Sequence, residues 1–181
     1  MTIYFKQALV HAINTPSDIN QHLPLMNILS KLCNHVTEFG VRWGTSATAW
    51  FNNDVTVRGY DIVAYEPAVK LFDQAKAAGK DVQLIVQDTL TIGELEPTDL
   101  LFIDSLHTYK QVSAELKYAP NVRKFILLHD TVLFGDRGED GSVPGISQAI
   151  REFLASNNDW TVLEHRTNNN GLTVLTRRLF F

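Results

Sequence analysis

The stretch HVTEFGVRWGTSATAWF, residues 35–51, changes character twice within a short span. His35 to Phe39 is a short run suited to a buried strand, and Thr45 to Phe51 has the small and apolar residues of a helix. Between them lie Gly40 and Gly44 in the turn GVRWG. Glycine accepts backbone angles closed to other residues and lets chain or ligand approach closely. The following helix start presents free N–H groups. A strand, a glycine turn and a helix in this order form the unit at which open α/β sheets receive ligands. The dinucleotide fingerprint G-x-G-x-x-G is absent, because the two glycines stand four apart.

Short apolar strands and helical patterns alternate on both sides of this unit. Upstream, Ile19, Leu23, Met26, Leu29 and Leu32 recur at spacings of three and four and predict a helix over much of 18–33. Downstream, YDIVAY (60–65), DVQLIV (81–86), DLLFI (99–103) and KFILL (124–128) read as strands two to five. Val69, Phe72 and Ala75 line one helix between them, which Gly79 stops. Tyr109, Val112 and Leu116 line the next, and Ile146, Ala149, Ile150, Phe153 and Leu154 a third. The loop 132–145, with its GDRGEDGSVPG, is expected to be mobile. WTVLEHR (160–166) and GLTVLTRR (171–178) flank TNNN, and Asn170-Gly171 marks a hairpin. The expected fold is a doubly wound, Rossmann-like α/β domain over 1–181. Its seven-stranded sheet is mostly parallel and ends in an antiparallel hairpin. Residues 1–17 are expected to be a flexible or substrate-covering N-terminal segment.

Composition narrows the function. The 181 residues are 45% hydrophobic and 20% charged, with a formal charge of −4 and no basic cluster, so nucleic acid is not the expected partner. No apolar run reaches membrane-span length, and the N-terminus does not read as a secretory signal. The single cysteine, Cys33, excludes an internal disulfide framework and reads as a small core residue, so the cytoplasm is the expected location.

Several polar residues stand where strands end. Glu38 precedes the first glycine by two residues, and Glu66 follows strand two. Asp88-Thr89 follows strand three, Asp104 with His107 and Tyr109 follows strand four, and His129-Asp130 follows strand five. Taken singly, Glu66 could be a carboxylate at a helix N-terminus, Asp88-Thr89 a turn, and Asp104 a helix cap. In order, they resemble class I S-adenosylmethionine-dependent methyltransferases, whose glycine turn reads E-x-G-x-x-x-G. The resemblance is to the compact branch of cephalosporin-hydroxylase-like and macrolide-sugar O-methyltransferases, through IDSLHTY (103–109), LLHDT (127–131) and the terminal hairpin. It covers about 18–178, with Ser105 where the branch often has glycine.

That resemblance implies O-methyl transfer to a small hydroxylated acceptor such as a sugar. Glu38, Gly40 and Gly44 would line the methionine and ribose part of the cofactor, with Ser46 capping the next helix and touching the cofactor carboxylate. Glu66 would hold the ribose hydroxyls, and Asp88 with Thr89 would meet the adenine. Asp104 and Asp130 would converge beside the cofactor, where two carboxylates need a proton or a cation between them. Mg²⁺ held by Asp104, Asp130 and His129 is the cation the resemblance implies, although His129 stands where some relatives carry a second acid. His107 is the leading general base, because its ordinary pKa suits proton removal near neutrality, and Asp104 is a second catalytic candidate that would also contact the cofactor. Three other readings compete: a non-catalytic cofactor-binding module, an NAD-type oxidoreductase, and an iron site of His107, His129 and Asp130. A homo-oligomer that completes an open cleft is compatible with all of them.

Overall fold

A computed structural model describes residues 2–178. Seven strands form one sheet: β1 His35–Phe39, β2 Thr56–Asp61, β3 Val82–Val86, β4 Thr98–Ile103, β5 Val122–His129, β6 Trp160–Arg166 and β7 Leu172–Arg177. Their order is β3-β2-β1-β4-β5-β7-β6. Pairings from β3 through β5 are parallel, and β7 is antiparallel to both β5 and β6. This is the doubly wound sheet with a terminal antiparallel pair that the alternating pattern predicts.

The helices are α1 Thr2–Asn14, α2 Leu23–Ser30, α3 Ala47–Phe51, α4 Glu66–Ala77, α5 Tyr109–Glu115 and α6 Ile146–Ser156. The run LLFI in β4 explains the layering. Leu100 and Phe102 face α1 to α4, while Leu101 and Ile103 face α5 and α6, so both faces of the strand are buried. On the first face Phe5, Met26, Trp50 and Phe72 close over the sheet, and on the second Val112, Ile150 and Phe153 do. Each such side chain contributes about 1.5–3 kcal/mol by leaving water.

Three expectations change. Residues 2–14 form a helix, with Phe5, Leu9 and Ala12 on its buried stripe. The helix expected over 18–33 is confined to Leu23–Ser30, and residues before it form a turn. The second strand ends at Asp61, not at Tyr65, because Ile62 and Val63 are exposed at the rim of a cleft and pair with no strand. Both have strand-forming side chains, which is why the boundary is displaced in the sequence.

Candidate active site

The carboxyl ends of β1 to β4 open into one cleft at the point where strand order reverses, the usual ligand position of such sheets. Two cavities of about 360 and 420 Å³ share Gly40, Arg42, Asp104, Ser105 and Glu139 as a common wall. The first, the inner half, runs past Ser17, Asp18, Trp43 and Ser46 to His107 and Asp130. The second, the outer half, runs past Asp61, Ile62, Tyr65, Asp88 and Gln111. Ile62 is 72% exposed, an apolar wall that a flat ring could cover.

The glycine turn is shaped by its neighbours. Gly40 has φ +86°, and a Cβ there would lie 2.1 Å from the backbone oxygen of Asp104. Gly44 has φ +84°, and a Cβ there would meet Leu71 Cδ2 at 3.2 Å. Gly40 therefore brings the ends of β1 and β4 together, and Gly44 seats the turn on α4. Glu38 is wholly buried and does not line either cavity. Its carboxylate accepts hydrogen bonds from the Ser46 hydroxyl and from Trp50 Nε1, the latter at 3.0 Å. Ser46 makes no side-chain cap to α3, contrary to expectation, because its hydroxyl is engaged by Glu38.

Burial pushes the Glu38 carboxyl up to about 8, opposed by the Ser46 and Trp50 bonds and reinforced by the Asp104 and Asp61 charges. A raised folded-state pKa favours the protonated acid, so its stabilisation is complete below the ordinary 4.5 and is lost as pH rises through about 8. Glu38→Gln should abolish this loss while keeping both neighbours bonded. The stability difference between variant and parent, measured by urea unfolding, should grow by up to about 1.4 kcal/mol per pH unit inside that window. Parallel curves from pH 5 to 8 would contradict a neutral buried Glu38.

The carboxylate at the end of β2 is Asp61. Its Oδ2 accepts the Arg42 backbone N–H at 2.7 Å, its Oδ1 accepts that of Val63 at 3.0 Å, and it borders the outer cavity. Glu66, expected in this role, begins α4, where its side chain is 77% exposed and pairs with Lys70 at 2.6 Å. Asp88 borders the outer cavity and caps a 3₁₀ turn through Leu90 N–H at 2.9 Å. The Thr89 hydroxyl donates to buried Glu115 at 2.6 Å, which also accepts from Ser105 at 2.6 Å and Gln111 at 3.0 Å. Burial pushes the Glu115 carboxyl up against these three bonds.

Asp104, His107, His129 and Asp130 offer one ligand atom each, all within 4.8 Å of one another. His129 Nδ1 lies 2.9 Å from Asp104 Oδ1 and 3.5 Å from Asp130 Oδ1. His107 Nε2 lies 3.2 Å from Asp104 Oδ1 and 3.3 Å from Asp130 Oδ2, and its Nδ1 lies 3.2 Å from Glu139 Oε2. Burial works against the imidazolium form of His129, yet the Asp104 and Asp130 charges raise it to about 9. The same carboxylates, with Glu139, raise His107 against the effect of burial. Asp104 is lowered despite burial, since both imidazoles face it, whereas burial raises Asp130. The imidazole expected to be a free base thus has carboxylates on both nitrogens, which favours its protonated form. Tyr109 is turned away, its hydroxyl donating to Glu152 at 2.6 Å.

Asp130 Oδ1 is buried without a hydrogen-bond partner, so one acceptor of the cluster is left unsatisfied. The donors are two carboxylates and two imidazoles. Mg²⁺ prefers an all-oxygen shell and does not suit two imidazoles, whereas such a set matches borderline first-row ions.

Four contributors have no local sequence signal. Asp18 and Arg42 border the inner cavity, Glu139 reaches His107 from the 132–145 loop, and Asn169 sits at the β6–β7 turn. That loop is tied down by Glu139 N–H to His107 O at 3.0 Å and Gly145 N–H to Asp136 O at 2.8 Å. The Asn169 backbone oxygen lies 3.2 Å from both His22 Nε2 and His129 Nε2. Its side chain accepts from Gln21 N–H at 2.9 Å and donates to Ser17 O at 2.8 Å, so the hairpin tip holds the loop before α2 against the cluster.

No protein-family model matches the chain, and no curated protein sequence does. Solved structures do share its fold. The O-methyltransferase TomG of Streptomyces achromogenes, solved with S-adenosylmethionine, superposes with a TM-score of 0.65 at 18% identity over 94% of this chain and 89% of its own. Podospora anserina methyltransferase PaMTH1, bound to S-adenosylhomocysteine, gives 0.64 at 18% identity over 94% and 88%. The N-methyltransferase NodS of Bradyrhizobium japonicum, also with S-adenosylhomocysteine, gives 0.62 at 13% identity over 97% and 99%. The fold is therefore one that methyltransferases use. No helix among the described residues is long and apolar enough to cross a membrane.

Proposed function

We propose that the protein transfers a methyl group from S-adenosylmethionine to the hydroxyl of a small acceptor such as a sugar. The observation that carries this reading is the single cleft that joins the glycine turn, Asp61 and Asp88 to the Asp104 cluster. Adenine and ribose would occupy the outer half, beside Asp88 and Asp61, with Asp61 taking the ribose role expected of Glu66. The methionine part would pass Gly40 towards Ser46, bringing the methyl group to the cluster. Glu38 and Gly44 serve this site from behind, as supports of the turn.

Methyl transfer is an in-line displacement. The acceptor oxygen forms its bond to the methyl carbon as the sulfur–methyl bond breaks, S-adenosylhomocysteine leaves, and the acceptor gives up its proton. Alignment supplies much of the rate. The cluster titrates as a unit, so the proton is taken up by its carboxylates and shared with the imidazoles beside them, not held by one isolated base. A divalent ion, if bound, would be held by Asp104, His107, His129 and Asp130, where it would lower the pKa of the acceptor hydroxyl. An oxygen acceptor is favoured over nitrogen because the cluster is rich in groups that take or share a proton.

The test is a radiolabelled methyl-transfer screen across hydroxylated acceptors, with and without Mg²⁺ or Zn²⁺, beside calorimetry with S-adenosylhomocysteine and NAD. Binding of S-adenosylhomocysteine and label transfer to an oxygen would support the reading. Binding without transfer to any acceptor favours the non-catalytic module, and binding of NAD alone would overturn both.

A further inference from the structure

The geometry points to Arg42 and Asp18 as a clamp for the zwitterionic amino-acid head of the cofactor, the guanidinium on its carboxylate and the aspartate on its ammonium. This rests on the cofactor reading above and adds to it the residues that distinguish a nucleoside thioether with an amino-acid head from one without.

The two side chains pair on the lining of the inner cavity, Arg42 Nη1 lying 3.7 Å from Asp18 Oδ2. They are half-exposed, so neither is committed to the core. The other charged groups of that cavity are already paired: Asp104, Asp130 and Glu139 all face His107. Among the described residues, Arg42 is the one guanidinium or ammonium bordering either half of the cleft. Among the described residues, Asp18 is the one carboxylate of the inner half whose ion-pair partner is not an imidazole.

Both residues are held in place by backbone, not by each other. Arg42 stands at φ +49° in the glycine turn, with its N–H on Asp61 Oδ2 and its guanidinium 4.4 Å from the Trp43 ring. Asp18 is anchored through its carbonyl, 3.2 Å from His129 Nε2, and through the adjoining Ser17 carbonyl, bonded by Asn169. One turn residue therefore touches, by backbone, the acid assigned to the ribose and, by side chain, the cavity assigned to the methionine. A single long, half-exposed ion pair contributes little. An α-amino acid carries both charges on one carbon, and placing it between Arg42 and Asp18 replaces that pair by two charge-assisted contacts.

Calorimetry on the full chain with S-adenosylhomocysteine and with 5′-methylthioadenosine, which keeps the adenosine and thioether but lacks the amino-acid head, tests this. The parent should bind S-adenosylhomocysteine more tightly. Arg42→Ala and Asp18→Asn should each weaken it about 10- to 100-fold while changing 5′-methylthioadenosine affinity no more than about twofold. Retained 5′-methylthioadenosine binding shows that the turn is intact. Equal losses for both compounds, no loss for either, or a parent that does not discriminate between them would overturn the clamp. A parent that binds neither compound would instead remove the cofactor reading on which it rests.

Discussion

Gly40→Ala should be the most damaging single-methyl change in the chain. Its Cβ would sit 2.1 Å from the Asp104 oxygen and 2.5 Å from the Asp104 carbonyl carbon, both backbone atoms that no rotamer change can move. The site lies where Gly40 N–H bonds Tyr60 O at 2.9 Å and Asp104 N–H bonds Phe39 O at 2.8 Å, so relief means prising β1 from its neighbours. Left-handed strain adds about 1–2 kcal/mol to the clash. The expected cost is about 3 kcal/mol or more, a fall of about 6–12 °C in melting temperature for a chain of this size. The glycine turn itself would be displaced, so S-adenosylhomocysteine binding should also fall. Gly79, after α4, is the control. It has φ +83° but nothing within 4 Å of its Cβ position, so Gly79→Ala should cost only about 1 kcal/mol and leave binding untouched. Equal melting temperatures for the two variants would show that the turn does not make the close approach described.

That contrast also shows what a sequence can disclose. Both glycines are visible as turn residues, but the reason each is needed differs, and only the packing of β1 against β4 distinguishes them. Strand β4 is legible from Asp99 to Ile103, because burial on both faces demands the apolar run LLFI, and the polar residue that follows it lies at the carboxyl end of the sheet. Asp104 and Asp130 were readable for that reason. Strand β2 was not, since Arg58 and Asp61 interrupt its apolar pattern while Ile62 and Val63 extend it past its true end. Periodicity reports burial against protein, and here apolar side chains line a cleft instead. The displaced boundary puts Glu66, not Asp61, at the strand end when the sequence is read alone. Helix α1 carries Phe5, Leu9 and Ala12 at helical spacing, but it lies outside the strand–helix alternation that makes the rest of the chain legible. Asp18, Glu139 and Asn169 belong to loops that meet the cluster only through tertiary contacts, so no local pattern could place them.

Asp104→Asn should separate chemistry from cofactor binding. One oxygen, Oδ1, lies against both His129 Nδ1 at 2.9 Å and His107 Nε2 at 3.2 Å. Asparagine keeps the shape but removes the charge that raises both imidazoles. His129 should then titrate below its present value of about 9, because Asp104 is the largest favourable contribution to it, and its ring resonances followed by NMR should shift accordingly. Asp130 and Glu139 remain beside the imidazoles, but the oxygen that faces both rings at once loses its charge. Methyl transfer to the acceptor found by the screen should fall about 10²- to 10⁴-fold. Binding of S-adenosylhomocysteine should change only a few-fold, since Asp61, Asp88 and the glycine turn are untouched. The decisive comparison is with Asp61→Asn, which leaves the cluster whole and should weaken cofactor binding while sparing turnover at saturating cofactor. If Asp104→Asn lost cofactor affinity and kept its saturated rate, the roles assigned to the two ends of the cleft would have to be exchanged.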